Sequence, residues 1–277
     1  MTIRQTEHII RGEDASDGAG VKMKRVFPTQ RVALIDPFLL FDEFGSDDPN
    51  AYIGGFPDHP HRGFETVTYM LAGRMRHFDS RGNSGLLTAG AAQWMTAGSG
   101  LIHSEMPEQT DGLMRGFQIW INLPAKEKMI PPRYQDYAPE EIPVTTLENG
   151  TVVKVVAGEA AGIIGPVNGV SRQPLLVDVT LPAGTSWRQA VDEEATVLAH
   201  VFEGTAEIGG KALGTTQMAV LGQGDEIELK AGPLGARILV LAAKPIGEPV
   251  ARYGPFVMNT REEIEQAFED YRAGKMG

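Results

Sequence analysis

The sequence predicts an all-β protein, two tandem β-barrel or β-sandwich domains ending in a single C-terminal α-helix. Its 33 glycines and 18 prolines cut 277 residues into many short apolar runs, the punctuation of strands and turns. Only one segment has a convincing helical period. Stretches of the first half also recur, diffusely, in the second. A chain of this length has room for two domains of ordinary size, and the expected division is 1–135 and 136–277, the second ending in a helix over 260–273.

Taken in order, residues 31–44 (RVALIDPFLLFDEF) read as a core strand leading into the turn-rich Gly45-Ser46-Asp47-Asp48-Pro49-Asn50. From Phe64, FETVTYMLAGRMRHFDS places β-branched and aromatic residues on both sides of Ala72-Gly73, the pattern of a hairpin. Gln93-Trp94-Met95-Thr96 is a further strand. In residues 117–122, Phe117, Ile119 and Ile121 share one face while Gln118, Trp120 and Asn122 share the other, a mixed face suited to lining a pocket. The stretch from Pro124 to Pro143 carries five prolines and several charges and reads as a linker.

Beyond it the pattern repeats. TVTYMLAG (66–73) lies over VLAHVFEG (197–204), and QWMTAGSG (93–100) over QMAVLGQG (217–224). The C-terminal helix opens on Thr260-Arg261-Glu262-Glu263, a capping box. Ile264, Ala267, Phe268 and Tyr271 follow at helical spacing, with Gly274 as the stop.

A formal charge of -11 disfavours direct binding to nucleic acid or to an anionic membrane through a general basic field. No apolar run reaches the roughly 18 residues of a membrane span, and Met1-Thr2-Ile3-Arg4-Gln5-Thr6-Glu7 leads into polar sequence, so a cytoplasmic location is expected. There is no cysteine, so any metal must be held by nitrogen and oxygen.

The chemistry concentrates in two stretches, Gly55-Phe56-Pro57-Asp58-His59-Pro60-His61-Arg62-Gly63-Phe64-Glu65 and, about forty residues on, Gly98-Ser99-Gly100-Leu101-Ile102-His103-Ser104-Glu105. Residues i and i+2 of a strand share a face, so His59 with His61, and His103 with Glu105, form two pairs that neighbouring strands can bring onto one ion. Three imidazoles and a carboxylate suit iron, manganese, nickel, copper or zinc and leave open positions on a five- or six-coordinate ion. The competing reading is a solvent-exposed turn for His59 and His61 with His103 an ordinary core histidine. His8, His77 and His200 have no such company and are not proposed as ligands. Under the repeat, His59 and His61 fall opposite Ala190 and Asp192, and His103 and Glu105 opposite Ile227 and Leu229. The second copy therefore lacks the cage and is expected to play a supporting role.

LIDPFLLFDEF, GGFPDHPHRGFETVTYMLAG, TAGSGLIHSEMP, GFQIWINLP and YGPFVMNTREEIEQAFEDYRAG together resemble the cupin superfamily and, far more closely, its two-domain pirin family. The resemblance covers most of the chain, with residues 150–245 the least distinctive. It implies a bicupin fold with His59, His61, His103 and Glu105 as ligands of one divalent metal, usually Fe(II), in the N-terminal cupin. The sequence departs from the general cupin pattern at Gly98, where Pro is usual, and at Pro107, where Asn is usual. The general pattern would also offer Glu65 as a ligand. The pirin pattern assigns the carboxylate to Glu105, leaving Glu65 a structural role, such as pairing with Arg62.

The resemblance further implies a quercetin 2,3-dioxygenase-like activity, in which a flavonol or similar small phenol is opened by O2. Glu105 would take the hydroxyl proton as the catalytic base. Phe56, Met75, Gln118 and Trp120 are possible pocket walls, although the core reading is preferred for all four. The alternative from a different class is an iron-binding, redox-sensitive regulatory protein acting on a protein partner. A dioxygenase needs a pocket opening onto the metal; a regulator does not.

Overall fold

A computed structural model describes residues 1–276 and is built almost wholly of strands, with one α-helix, Arg261–Arg272. The chain forms two compact units, and neither is a single stretch. The first comprises Asp14–Pro139 and the segment from Ile246 onward; the second comprises Met1–Glu13 with Glu140–Pro245. The linear division at 135/136 differs from these units at both ends, because the N-terminal strand finds its sheet partner in the second half of the chain and the C-terminal helix packs with residues of the first unit.

The first unit holds a seven-stranded sheet in the order Arg133–Tyr137, Ala92–Thr96, Phe64–Ala72, Met114–Asn122, Phe38–Ser46, Val21–Phe27, Glu13–Asp17. A four-stranded sheet runs Phe56–His61, Leu101–Pro107, Met75–Asp79, Ser84–Leu87. Val21, Met23, Phe44, Met70 and Met114 of the larger sheet form one buried cluster with Met75 and Leu87 of the smaller, so the two layers share a core. Along Met114–Asn122 the period of two holds: Phe117, Ile119 and Ile121 are buried, with Phe117 against Phe41 at 5.5 Å.

Two local expectations change. Phe64–Ala72 and Met75–Asp79 flank the Gly73 turn as predicted but do not pair; the first bonds to Ala92–Thr96 and Met114–Asn122, the second to Leu101–Pro107 and Ser84–Leu87. The turn carries the chain from one sheet to the other, which local propensity alone cannot distinguish from a hairpin. Within the Pro-rich linker, Arg133–Tyr137 forms a strand on Ala92–Thr96. It contains no proline and lies at the sheet edge, where neighbouring prolines are tolerated.

The second unit's main sheet runs Thr6–Arg11, Gln217–Leu221, Thr196–Ile208, Glu226–Ala243, Leu175–Leu181, Val152–Ala157, Val144–Thr146. The stretches aligned by the repeat form antiparallel strand pairs in both units, Phe64–Ala72 with Ala92–Thr96 and Thr196–Ile208 with Gln217–Leu221. The C-terminal helix has the predicted box: Thr260 accepts from the Glu263 amide, and Glu263 accepts from the Thr260 amide. Ile264 and Ala267 are buried, while Tyr271 is exposed. Among the described residues no helix is long and apolar enough to cross a membrane.

Arg4 anchors the N-terminus in the second unit. It is 2 % exposed, and its guanidinium donates through Nε to Gly224 O (2.9 Å), through Nη1 to Ala195 O (2.8 Å) and Gly222 O (2.9 Å), and through Nη2 to Asp192 O (2.8 Å) and Glu193 O (2.9 Å). All five donors of the side chain are used. Arg4→Met fills similar space but strands these carbonyls, and the expected loss is about 3 kcal/mol or more in urea unfolding; an unchanged midpoint would show that water replaces the guanidinium.

Candidate functional site

The site is built on the antiparallel pair Phe56–His61 and Leu101–Pro107, in which His103 lies directly opposite His59. His61 follows two residues later on the same face, so three imidazoles converge. Their ring centroids are 4.6 Å (His59–His61), 4.4 Å (His59–His103) and 5.0 Å (His61–His103) apart. One nitrogen from each can lie within 4.8 Å of the others. Between His103 and Glu105 the register to Phe56–His61 shifts, so that Glu105 faces Phe56. The extra residue falls at Pro57-Asp58, and Pro57 has no amide proton to lose from the ladder.

His59 Nδ1 lies 2.8 Å from Pro57 O, which makes Nδ1 the protonated nitrogen and leaves Nε2 with its lone pair. His103 is 1 % exposed and neither of its ring nitrogens has a hydrogen-bond partner among the described residues. Unsatisfied buried polar atoms are costly, and a metal ion at the shared focus would engage one of these nitrogens. Burial, reinforced by the neighbouring His59, pushes both His61 and His103 well below the usual imidazole range. They are therefore neutral at pH 7, the protonation state a metal requires. Nitrogen donors of this number suit a divalent transition metal.

Glu105, 4 % exposed, lies on the wall of the same cavity as His59 and His61, outside the three-histidine group. Thr68 Oγ1 is 3.0 Å from its Oε1 and 2.7 Å from Gln118 Oε1. One hydroxyl proton cannot serve two acceptors. The contacts are satisfied when Gln118 turns its amide nitrogen to Thr68 and Thr68 donates to Glu105.

The cavity has a volume of about 440 Å³, with Phe56, Gln118 and Trp120 among its walls. Phe56 and Trp120 serve both readings, lining the cavity while packing against buried apolar clusters, Gln118 lines the cavity, and the core reading holds for Met75, which is buried in an apolar cluster. Trp120 stands 5.1 Å from the His61 ring and 4.4 Å from Phe64. Arg25, Asp17, Asp42 and Arg252 also line it, and no sequence signal singled them out, since they lie on strands remote from the histidine stretches. A wider depression of about 590 Å³, lined by Asp14, Lys22, Glu43 and Arg115 among others, contains none of the histidines.

Glu65 is buried but does not pair with Arg62. Thr96 Oγ1 donates to it at 2.6 Å across the sheet, while Arg62, at the corner preceding that strand, bonds Ser99 O (2.7 Å) and Asp270 (2.8 Å). His77 is buried against Asp136 at 2.9 Å and stacks on Tyr134; His8 and His200 likewise lie outside the histidine group. In the second unit Ile227 and Leu229 are part of a continuous aliphatic core.

The family model described as Pirin matches residues 20–121, and that for the Pirin C-terminal cupin domain matches 176–277. A pirin-like protein of Caulobacter vibrioides is 47% identical over 276 residues, covering 99% of this chain and 100% of that protein. A Pseudomonas aeruginosa protein described as a candidate quercetin 2,3-dioxygenase is 50% identical over 270 residues, 95% of this chain and 94% of its own. Among solved structures, a quercetin 2,3-dioxygenase from Acinetobacter baumannii superposes with a TM-score of 0.92 at 33% identity, covering 100% of this chain and 99% of that one.

Burial lifts the Glu65 carboxyl to about 7 despite the Thr96 hydrogen bond, which acts in the opposite direction. Its folded pKa lies above its ordinary value, so its stabilising contribution is complete below the unfolded pKa and is lost as pH rises through the folded one. Between about pH 4.5 and 7 wild-type stability should fall relative to Glu65→Gln by roughly 3 kcal/mol. Urea unfolding of both metal-free proteins across that range checks this; parallel profiles would mean that folding leaves the Glu65 pKa at its ordinary value.

Proposed function

The chain belongs to the pirin family, and from that premise we propose that it is a metal-dependent dioxygenase that opens the ring of quercetin-like flavonols with O2, releasing carbon monoxide and leaving a depside. The observation that carries this reading is the cavity of about 440 Å³ lined by His59, His61 and Glu105. A fused-ring phenol needs such a concave, partly apolar space, whereas a regulator acting through its surface does not.

His59, His61 and His103 would hold the ion, with Glu105 as the fourth ligand. Fe(II) is the first choice, and the same donors accept manganese, nickel, copper or zinc. When bound, the metal supplies Lewis acidity that lowers the pKa of the flavonol 3-hydroxyl. Glu105 accepts the proton on the oxygen that Thr68 leaves free, and Thr68 with Gln118 holds the carboxylate toward the cavity. Trp120 and Phe56 offer flat apolar faces to the rings and exclude water from them.

Oxygen uptake with quercetin by anaerobically iron-loaded protein tests the proposal, run beside His59→Ala and Glu105→Ala with metal content quantified. Wild type should consume oxygen. His59→Ala should lose metal and turnover together, and Glu105→Ala should turn over at least about 100-fold more slowly. Fully metallated wild type that consumes no oxygen overturns the assignment and favours the regulatory reading.

A further inference from the structure

The cavity contains two arginines in different electrostatic states. Arg25 is charge-paired: its Nε and Nη2 donate to Asp42 at 2.9 and 2.7 Å, and Nη2 also reaches Asp17 at 2.9 Å. Among the described residues, Arg252 has no carboxylate within ion-pair distance. Its Nη1 donates to Leu39 O at 3.0 Å and its guanidinium lies over Trp120, 4.8 Å from the ring centroid. The Nε and Nη2 edge makes no hydrogen bond to any described residue.

The remaining charges do not neutralise it directly. Asp17 and Asp42 act on Arg252 only at longer range and are already bonded to Arg25. Glu105 is held by Thr68. The guanidinium thus stands one indole away from His61, on a cavity wall, beside a site suited to a divalent cation. Two positive centres flanking one apolar face favour an occupant with two acidic functions.

Arg252 is a solvent-exposed residue whose backbone is fixed by strand pairing. Arg252 lies in the strand Ala251–Tyr253, which pairs with Phe256–Met258, and Phe256 bridges to Arg62 at the end of the histidine strand. Gly254 and Pro255 of the same hairpin complete that wall. A cation–π platform orients the fork without using its donors.

We propose that Arg252 is a specificity-determining residue that recognises an anionic group on a flat aromatic substrate, making the preferred substrate class phenols that carry a second acidic group, such as a carboxylate, away from the reacting hydroxyl. This rests on the dioxygenase reading for the reacting end only. The planar fork of Arg252 receives the anion through Nε and Nη2, while the ring lies along Trp120.

The test reads binding without turnover. Anaerobic calorimetric titrations of the iron-loaded protein compare 3-hydroxyflavone with its 4′- and 7-carboxylates, on wild type, Arg252→Gln and Arg252→Lys of matched metal content and melting temperature. One carboxylate should bind wild type about 10-fold or more tighter than the neutral flavone. Arg252→Gln should abolish that preference, so that the carboxylate and the neutral flavone bind with equal affinity, and Arg252→Lys should restore part of it. A preference that survives in Arg252→Gln, or none in wild type, overturns the proposal. Binding with no oxygen uptake would fail the dioxygenase reading alone. If no flavone binds, the flavonol reading fails, and 6-hydroxy-2-naphthoate against 2-naphthol decides the anion question by the same criteria.

Discussion

The site depends on the corner at Arg62-Gly63, where the histidine strand ends and the chain turns into Phe64–Ala72. Gly63 has φ 89°, and a Cβ there would collide with the Val257 carbonyl, so only glycine lets the C-terminal segment approach. Lys128, 1 % exposed, donates to Gly63 O (2.8 Å), Asn122 Oδ1 (2.6 Å) and Val257 O (2.9 Å). Burial lowers its pKa to about 8, which still leaves it protonated at neutral pH to serve three acceptors. Arg62 reaches Ser99 O and Asp270 from the same corner. Parts of the chain far apart in sequence thus meet one residue beyond His61, and the imidazole is positioned by them.

The two units show what a polar interior costs. Where the first buries His61, His103, Glu65 and Glu105, the second, at the positions aligned with His103 and Glu105, places Ile227 and Leu229, each fully buried among aliphatic neighbours. The aligned strand pairs are retained. Burying groups that would otherwise be charged is unfavourable, and it pushes the His61 and His103 imidazoles down and the Glu65 carboxyl up from their ordinary pKa ranges. The first unit maintains that expense at the histidine site; at the aligned positions the second is apolar, its own buried polar groups, such as Arg4 and His200, lying elsewhere.

How much of this the sequence disclosed follows from the range of the interactions. His59, His61 and His103 were legible because strand period and register act within one strand pair, and the capping box of the helix is similarly local. The pairing of Phe64–Ala72 was not, since a Gly turn reads alike whether the next strand returns to the same sheet or crosses to the other. The unit boundaries were hidden for a related reason: nothing near Arg4 announces that its five acceptors lie between residues 192 and 224. Arg25, Asp42 and Arg252 were invisible as cavity residues because only the tertiary fold assembles that wall.

The strand Met114–Asn122 shows why site and core cannot vary independently. Phe117, Ile119 and Ile121 are in the core, while the alternate positions Gln118 and Trp120 reach the cavity, the one bonding Thr68 and the other facing His61. A slip of one residue against Phe38–Ser46 or Phe64–Ala72 would exchange the two faces, burying a polar amide in the core and removing the indole from the site. The apolar residues that make the slip unfavourable therefore also set the direction of Gln118 and, through Thr68, of Glu105. Packing on one side of a single strand thereby orients the carboxylate on the other.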